Sequence, residues 1–235
     1  MDFLTLKTTL QRFKLELFSV NDIVKLTNLS KDSVRNKLSL LEKQQKIYRI
    51  KKGHYSLNKI ENKFLLQKAF SETYIGLYSA LEYYESTTQR FTNLDLITKK
   101  LKHNQRVQDT QIDFHKIKEE LFFGYKKIHI NNTELFISKI EKTLVDCIYF
   151  SNKVYLTEIR EFIRKYKEEI NKELLMTYLG KINSSTLNKR LGYLLEKEGI
   201  KLDLEFNNTY EKLNVNIPAK GKKNKYWKLI INEEV

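Results

Sequence analysis

The apolar positions of the first sixty residues change period as the chain proceeds. Leu4, Leu6, Leu10, Phe13 and Leu17 recur at spacings of two to four, which predicts a first amphipathic helix. Ser19 then reads as an N-cap, with Asp22 three residues on completing an acidic variant of the capping box. A short second helix follows over Val20 to Leu26, Thr27-Asn28-Leu29 reads as a turn, and Ser30 is the next N-cap. A third helix runs from Lys31 to near Gln45, with Val34, Leu38 and Leu41 on one stripe. Beyond it, Ile47 to Ile50 and His54 to Leu57 alternate with period two around Lys51-Lys52-Gly53. That pattern predicts a β-hairpin with Gly53 at positive φ.

Three helices followed by a hairpin form the pattern of a winged helix-turn-helix, in which one helix presents its polar face to the major groove. After it, apolar residues from Ile60 to Phe70 and the aromatic run Tyr74 to Tyr84 suit amphipathic helices whose aromatic stripe packs a core. Strand-like segments come next at Leu94 to Thr98, Thr110 to Phe114, Phe122 to Ile130 and Glu134 to Ile137. Helical patterns return over Lys139 to Phe150, Leu156 to Tyr166, Glu169 to Leu179 and Ser185 to Lys197, with Gly199 as a C-cap. Leu213 to Ile217 and Lys225 to Ile231 read as two strands around Pro218 and the basic turn Lys220 to Lys223. The expected fold class is α+β: an N-terminal winged helix-turn-helix, then a mixed α/β middle and a helical C-terminal domain. The expected domains are residues 1–60 and 61–235.

Charge sharpens this reading. The chain of 235 residues carries 43 Lys and Arg against 29 Asp and Glu, a net charge of +14. Residues 1–60 alone hold 13 basic and 5 acidic side chains. An excess gathered on the helical N-terminus favours a polyanion partner, double-stranded DNA before a membrane surface. On the third helix, Lys31, Ser33, Arg35, Asn36, Ser39 and Lys43 lie on or beside the face opposite the apolar stripe. Arg and Asn are the residue types that make bidentate contacts to guanine and adenine edges. The helix start at Ser30 offers backbone N–H groups to a phosphate. Lys51, Lys52 and His54 at the hairpin tip would reach the sugar-phosphate backbone. A second candidate basic face comprises Arg160, Arg164, Lys165, Lys189 and Arg190 in the C-terminal helices. Protein contact with a solvated polar helix face is the other use of such a domain.

Two later blocks carry a family resemblance. Ser138 to Cys147, with Glu141-Lys142-Thr143-Leu144-Val145-Asp146 at its centre, resembles a block of the AbiEi-type antitoxins. Leu187 to Glu196 is similar to their later block, and Tyr78-Ser79-Ala80-Leu81 sits where that family has another helix. The resemblance implies a transcriptional repressor and antitoxin of a toxin–antitoxin, abortive-infection system that limits phage. The winged helix would bind inverted repeats in its own promoter. The C-terminal domain would counteract a nucleotidyltransferase-like toxin without a required stable complex. A stand-alone regulator and a module that binds its toxin directly remain the alternatives. Read from the residues themselves, Lys142 and Asp146 are spaced to form an i,i+4 ion pair.

Signals for an enzyme are thin. His54, His103, His115 and His129 lack metal-ligand spacing, and the single Cys147 excludes an intrachain disulfide or a multi-cysteine zinc site. No Walker loop or nucleophile elbow occurs. The nearest carboxylate pair, Asp203 and Glu205 on an expected strand, lacks the preceding Gly-Ser turn of a nucleotidyltransferase. The chain reads as a non-enzyme with no cofactor and no metal. Charges within the first eighteen residues, and the lack of a long apolar run, point away from a signal peptide or membrane span and toward the cytoplasm.

Overall fold

The computed structural model describes residues 2–89 and 91–234. Helix α1 (Phe3–Arg12) begins where the Asp2 carboxylate accepts the Thr5 N–H at 2.8 Å. It is shorter than its apolar pattern predicts. The chain breaks at Lys14, φ +50°, and Leu17 enters strand β1 (Leu17–Ser19) instead of a fifth helical position. Leu4 and Phe13 are exposed, while Leu6, Leu10 and Leu17 are fully buried.

The capping box at Ser19 is complete, with the Ser19 N–H donating to Asp22 Oδ2 at 2.7 Å and the Asp22 N–H to Ser19 Oγ at 3.1 Å. It starts α2 (Val20–Thr27), which ends at Asn28 in the left-handed region. Burial alone would raise the Asp22 carboxyl, but the Ser19 N–H and the Lys68 ammonium at 3.4 Å hold it below its ordinary value. Ser30 caps α3 (Lys31–Lys43) through the Ser33 N–H, and β2 (Tyr48–Lys51) and β3 (His54–Ser56) form the hairpin around Gly53 at φ +81°. The three strands pair antiparallel in the order β1-β3-β2. Leu6, Leu10, Phe18, Ile23, Val34 and Leu38 pack together beneath them. Each such buried side chain contributes about 1.5–3 kcal/mol.

Residues Lys63–Ala69 form a 3-10 helix, with the Asn62 side chain accepting the Phe64 N–H. The expected helix over Tyr74 to Tyr84 divides into β4 (Thr73–Ile75) and α4 (Leu77–Tyr83). Strands β5 (Asn93–Thr98), β6 (Gln105–Val107), β7 (Thr110–Lys116), β8 (Tyr125–Ile130) and β9 (Thr133–Ser138) complete a sheet in the order β6-β7-β5-β4-β9-β8. It is mixed: β5 runs parallel to β7 and antiparallel to β4.

Four helices follow: α5 (Ile140–Tyr149), α6 (Leu156–Tyr166), α7 (Lys172–Ile182) and α8 (Ser185–Lys197), the last followed by Gly199 at φ +80°. In α5, Lys142 and Asp146 are fully buried and paired with each other. The stem of Lys142 runs against Gly124, where an added Cβ would lie 3.0 Å from it, and its ammonium is 5.2 Å from the Phe123 ring centre. Glu141 accepts the Asn171 N–H at 2.9 Å, tying α5 to the start of α7. The polar letters of the 141–146 block therefore serve packing. In the tail, β10 (Glu211–Lys212), β11 (Lys222–Asn224) and β12 (Leu229–Ile231) form a small sheet in the order β10-β12-β11. The expected basic turn is thus partly a strand. Gly221 permits this, because a Cβ there would fall 1.9 Å from the Ile231 carbonyl oxygen.

The fold is mixed α+β. Its two compact units are Met1–Ile75 with Thr92–Lys116 and Lys127–Ile137, and Gly76–Phe91 with Ile117–Lys126 and Ser138–Val235. This division does not coincide with the expected boundary after residue 60, because residues 61–75 and most of the six-stranded sheet belong to the first unit. Among the described residues, no helix is long and apolar enough to cross a membrane.

Candidate nucleic-acid interface

The geometry of α3 follows from its two faces. Val34 and Leu38 are fully buried and Leu41 nearly so, which fixes the rotation of the helix about its axis. The opposite face is then set: Lys31, Arg35, Asn36, Ser39 and Lys43 are exposed, with Ser33 half-buried at the edge. Asn28 makes the turn from α2 at φ +54°, and its N–H donates to the Val24 carbonyl at 3.0 Å. Arg35 pairs with Asp32 at 3.1 Å, both side chains being well exposed. A surface pair of this kind is worth about 0–1 kcal/mol, so the guanidinium is readily surrendered to a stronger acceptor. Leu40, 55% exposed, stands on the same helix and offers an apolar surface that the sequence reading did not single out.

The hairpin tip is more constrained than the sequence implied. The Val20 N–H donates to the Gly53 carbonyl at 3.0 Å, which holds the tip at the start of α2. Lys52 is exposed, but the Lys51 ammonium lies 4.9 Å from the Phe70 ring centre, and burial lowers its pKa. His54 is half-buried, and burial pushes its imidazole below the ordinary value, leaving it neutral at neutral pH. Of the three expected tip residues, Lys52 is therefore the exposed cation. Lys102 and His103 join Lys51 and Lys52 around an open cleft of about 480 Å³. The sequence reading missed them because fifty residues separate them from the hairpin; the one hint was the basic run Lys99 to His103.

The five residues of the expected C-terminal basic face do not share one exposed surface, because Lys189 and Arg190 are buried. Arg160 and Arg164 converge on the Glu198 carboxylate, and Arg164 also binds Glu161 at 2.6 Å. Lys165 donates to the carbonyls of Tyr84 and Glu85. Lys189 is fully buried, its ammonium bound to Asn207 Oδ1 at 2.7 Å and the Thr209 carbonyl at 2.5 Å. Arg190 is buried too, its Nε donating to the Lys212 carbonyl at 2.9 Å. Lys189 and Arg190 are thus bonded inside the fold, whereas Arg160, Arg164 and Lys165 are bonded at its surface, Arg164 and Lys165 being exposed. Asp203 and Glu205 are exposed on an irregular segment in place of the expected strand. Among the described residues, no group of three His, Cys, Asp or Glu is placed to hold a metal ion.

No protein-family model matches the chain, and no curated protein matches it either. Among solved structures, the crystal structure of the RV2827C protein from Mycobacterium tuberculosis is similar, with a TM-score of 0.67 at 12% sequence identity. The likeness covers 94% of this chain and 88% of that one, and it is a likeness of fold.

Proposed function

We propose that the chain is a DNA-binding repressor and the antitoxin of a toxin–antitoxin system, with α1 to β3 acting as a winged helix-turn-helix. The observation that carries the DNA-binding half is the arrangement around α3. Its inner face is locked by Val34, Leu38 and Leu41, and its outer face leaves Arg35, Asn36, Ser39 and Lys43 uncovered. The order α1-β1-α2-α3-β2-β3, with strands in the order β1-β3-β2, supports the reading. Such a helix would enter the major groove, while Lys52 and the neighbouring basic cleft face the phosphates. Two copies would bind an inverted repeat in the chain's own promoter. The antitoxin half rests on the resemblance of residues 138–147 and 187–196, and its partner would be a nucleotidyltransferase-like toxin.

The test is fluorescence anisotropy of the protein on the duplex upstream of its own gene, against a shuffled duplex, at about 150 mM salt. Binding at least about a thousandfold tighter to the native duplex, and falling steeply with salt, is the expected result. Equal weak binding to both would overturn the repressor reading in favour of a protein-interaction module. Co-expression with the adjacent gene then tests the other half: relief of its toxicity is expected, and growth arrest unchanged by this chain would leave a stand-alone regulator.

A further inference from the structure

A cavity of about 880 Å³ lies in the first unit at the base of the β2–β3 hairpin, the end away from its tip. Its walls come from α1, the chain just after α1, the turn from α3 into β2, and the segment that follows β3. The volume falls within the ~300–1,000 Å³ typical of small-molecule sites. The walls are of two kinds. Leu10, Leu15, Leu57 and Ile60 supply an apolar floor, and Phe3 and Tyr48 add aromatic rings, Tyr48 being 42% exposed.

Lys7, Lys14 and Lys46 stand around this floor. Among the described residues none of the three is within ion-pair distance of a carboxylate. Two acidic residues, Glu16 and Glu61, share the lining, which leaves four lysines against two glutamates once Lys59 is counted, and Glu16 also accepts from the Asn131 side chain. Lys59 itself is matched by Asp109 at 3.2 Å. The Lys46 ammonium is 5.7 Å from the Phe3 ring centre, so cation and ring already share one wall.

We infer that this cavity binds a small aromatic anion, its ring against Phe3 and Tyr48 and its acidic group on Lys7, Lys14 and Lys46. The chemistry is shared by aromatic carboxylates and by nucleoside phosphates. An aliphatic ligand would leave the two rings unused. A neutral one would leave the excess of lysine over glutamate in the lining unmatched.

Isothermal titration of the full chain distinguishes the sources, with salicylate and AMP as the two arms. Benzyl alcohol and adenosine serve as uncharged counterparts, and inorganic phosphate as charge without a ring. At least one aromatic anion is expected to bind about tenfold or more tighter than its uncharged counterpart and than phosphate. The arm that does so names the source. Lys14→Gln with Lys46→Gln should weaken that binding by about tenfold, and Tyr48→Ala should weaken it too. Lys172→Gln with Lys201→Gln, which removes the same charge elsewhere, should leave it unchanged. Absence of binding in both arms, equal binding of the uncharged counterparts or phosphate, or equal loss in the remote double variant would each overturn the site. None of these readouts involves DNA, so their outcome is separate from that of the repressor reading.

Discussion

Helices α3 and α8 are the same length, are each capped by a serine, and end on the same four residues, Leu-Leu-Glu-Lys. Aligned on that ending, Arg35 and Asn36 match Lys189 and Arg190. The polar pair on α3 faces solvent, and the pair on α8 is buried. Part of the difference is local, because the buried Leu187, Leu191 and Leu194 of α8 align with Ser33, Lys37 and Leu40 of α3, which turns the buried face by one residue. In α8, Asn207, Thr209 and Lys212 reach back over the basic pair, and Trp227 covers Gly192 on the same helix. A basic residue at a given helical position is a surface charge or a buried donor according to what chain comes to lie on it, and for α8 that chain is an irregular tail.

The largest effect that could break this comparison is expected at Lys189. Lys189→Ala removes the donor to Asn207 and Thr209 and opens a cavity, and should cost about 2–4 kcal/mol in urea unfolding. At the matching position of α3, Arg35→Ala should stay within about 0.5 kcal/mol. Equal losses would mean that α3 is covered as α8 is.

An alanine placed in each helix sharpens the contrast. In Gly192→Ala the new Cβ would fall 2.2 Å from Trp227 Cη2, so about 1–3 kcal/mol should be lost. Trp227 is the one tryptophan of the chain, and its indole N–H donates to Glu196 at 2.6 Å, so its emission should shift as the ring is displaced. Ser39→Ala on the outer face of α3 should instead gain a few tenths of a kcal/mol from helix propensity. An unshifted tryptophan emission in Gly192→Ala would show that the tail does not clamp α8.

The smallest effect separates the two units by pH. Burial holds the His54 imidazole below its ordinary 6.5, so the unfolded chain takes up this proton more readily than the folded one. Its contribution to stability is complete above about 6.5 and drains away as pH falls toward the lower folded value. In the second unit, burial alone would raise the Glu198 carboxyl, but Arg160 and Arg164 hold it below its ordinary 4.5. That contribution is present above about 4.5 and is lost only on acidification below it. Thermal melts between about pH 7 and pH 5.5 should therefore lose a step that His54→Gln removes and Glu198→Gln leaves in place. A step abolished by Glu198→Gln would assign it to the wrong unit.

The sequence disclosed these two helices unequally. The Ser30 cap, the bounds of α8 and the buried stripe of α3 were legible, because a cap and a 3.6-residue period are local signals. Exposure of the α3 candidates could be read from that stripe, since a single buried face defines its opposite. The fate of Lys189 and Arg190 could not, since the acceptors lie about twenty residues on, in a segment with no periodicity. Strands β4 and β6 were missed for the opposite reason, being three residues each and too short for an alternation to register. Leu17 was misplaced because a spacing of four after Phe13 continues a helix as well as it begins a strand. At the hairpin tip, Lys51 and Lys52 are identical letters, and the Phe70 ring that separates their roles lies nineteen residues beyond Lys51.

The cover that the tail lays over α8 also has a consequence in time. At synthesis rates of about 5–20 residues per second, the roughly thirty residues between Leu195 and Trp227 take a few seconds to make. Until that stretch is made, Lys189 and Arg190 lack the acceptors they have in the folded chain, and Gly192 lacks the indole that covers it. The drying of these two cations therefore waits on acceptors that lie about twenty residues downstream in the chain.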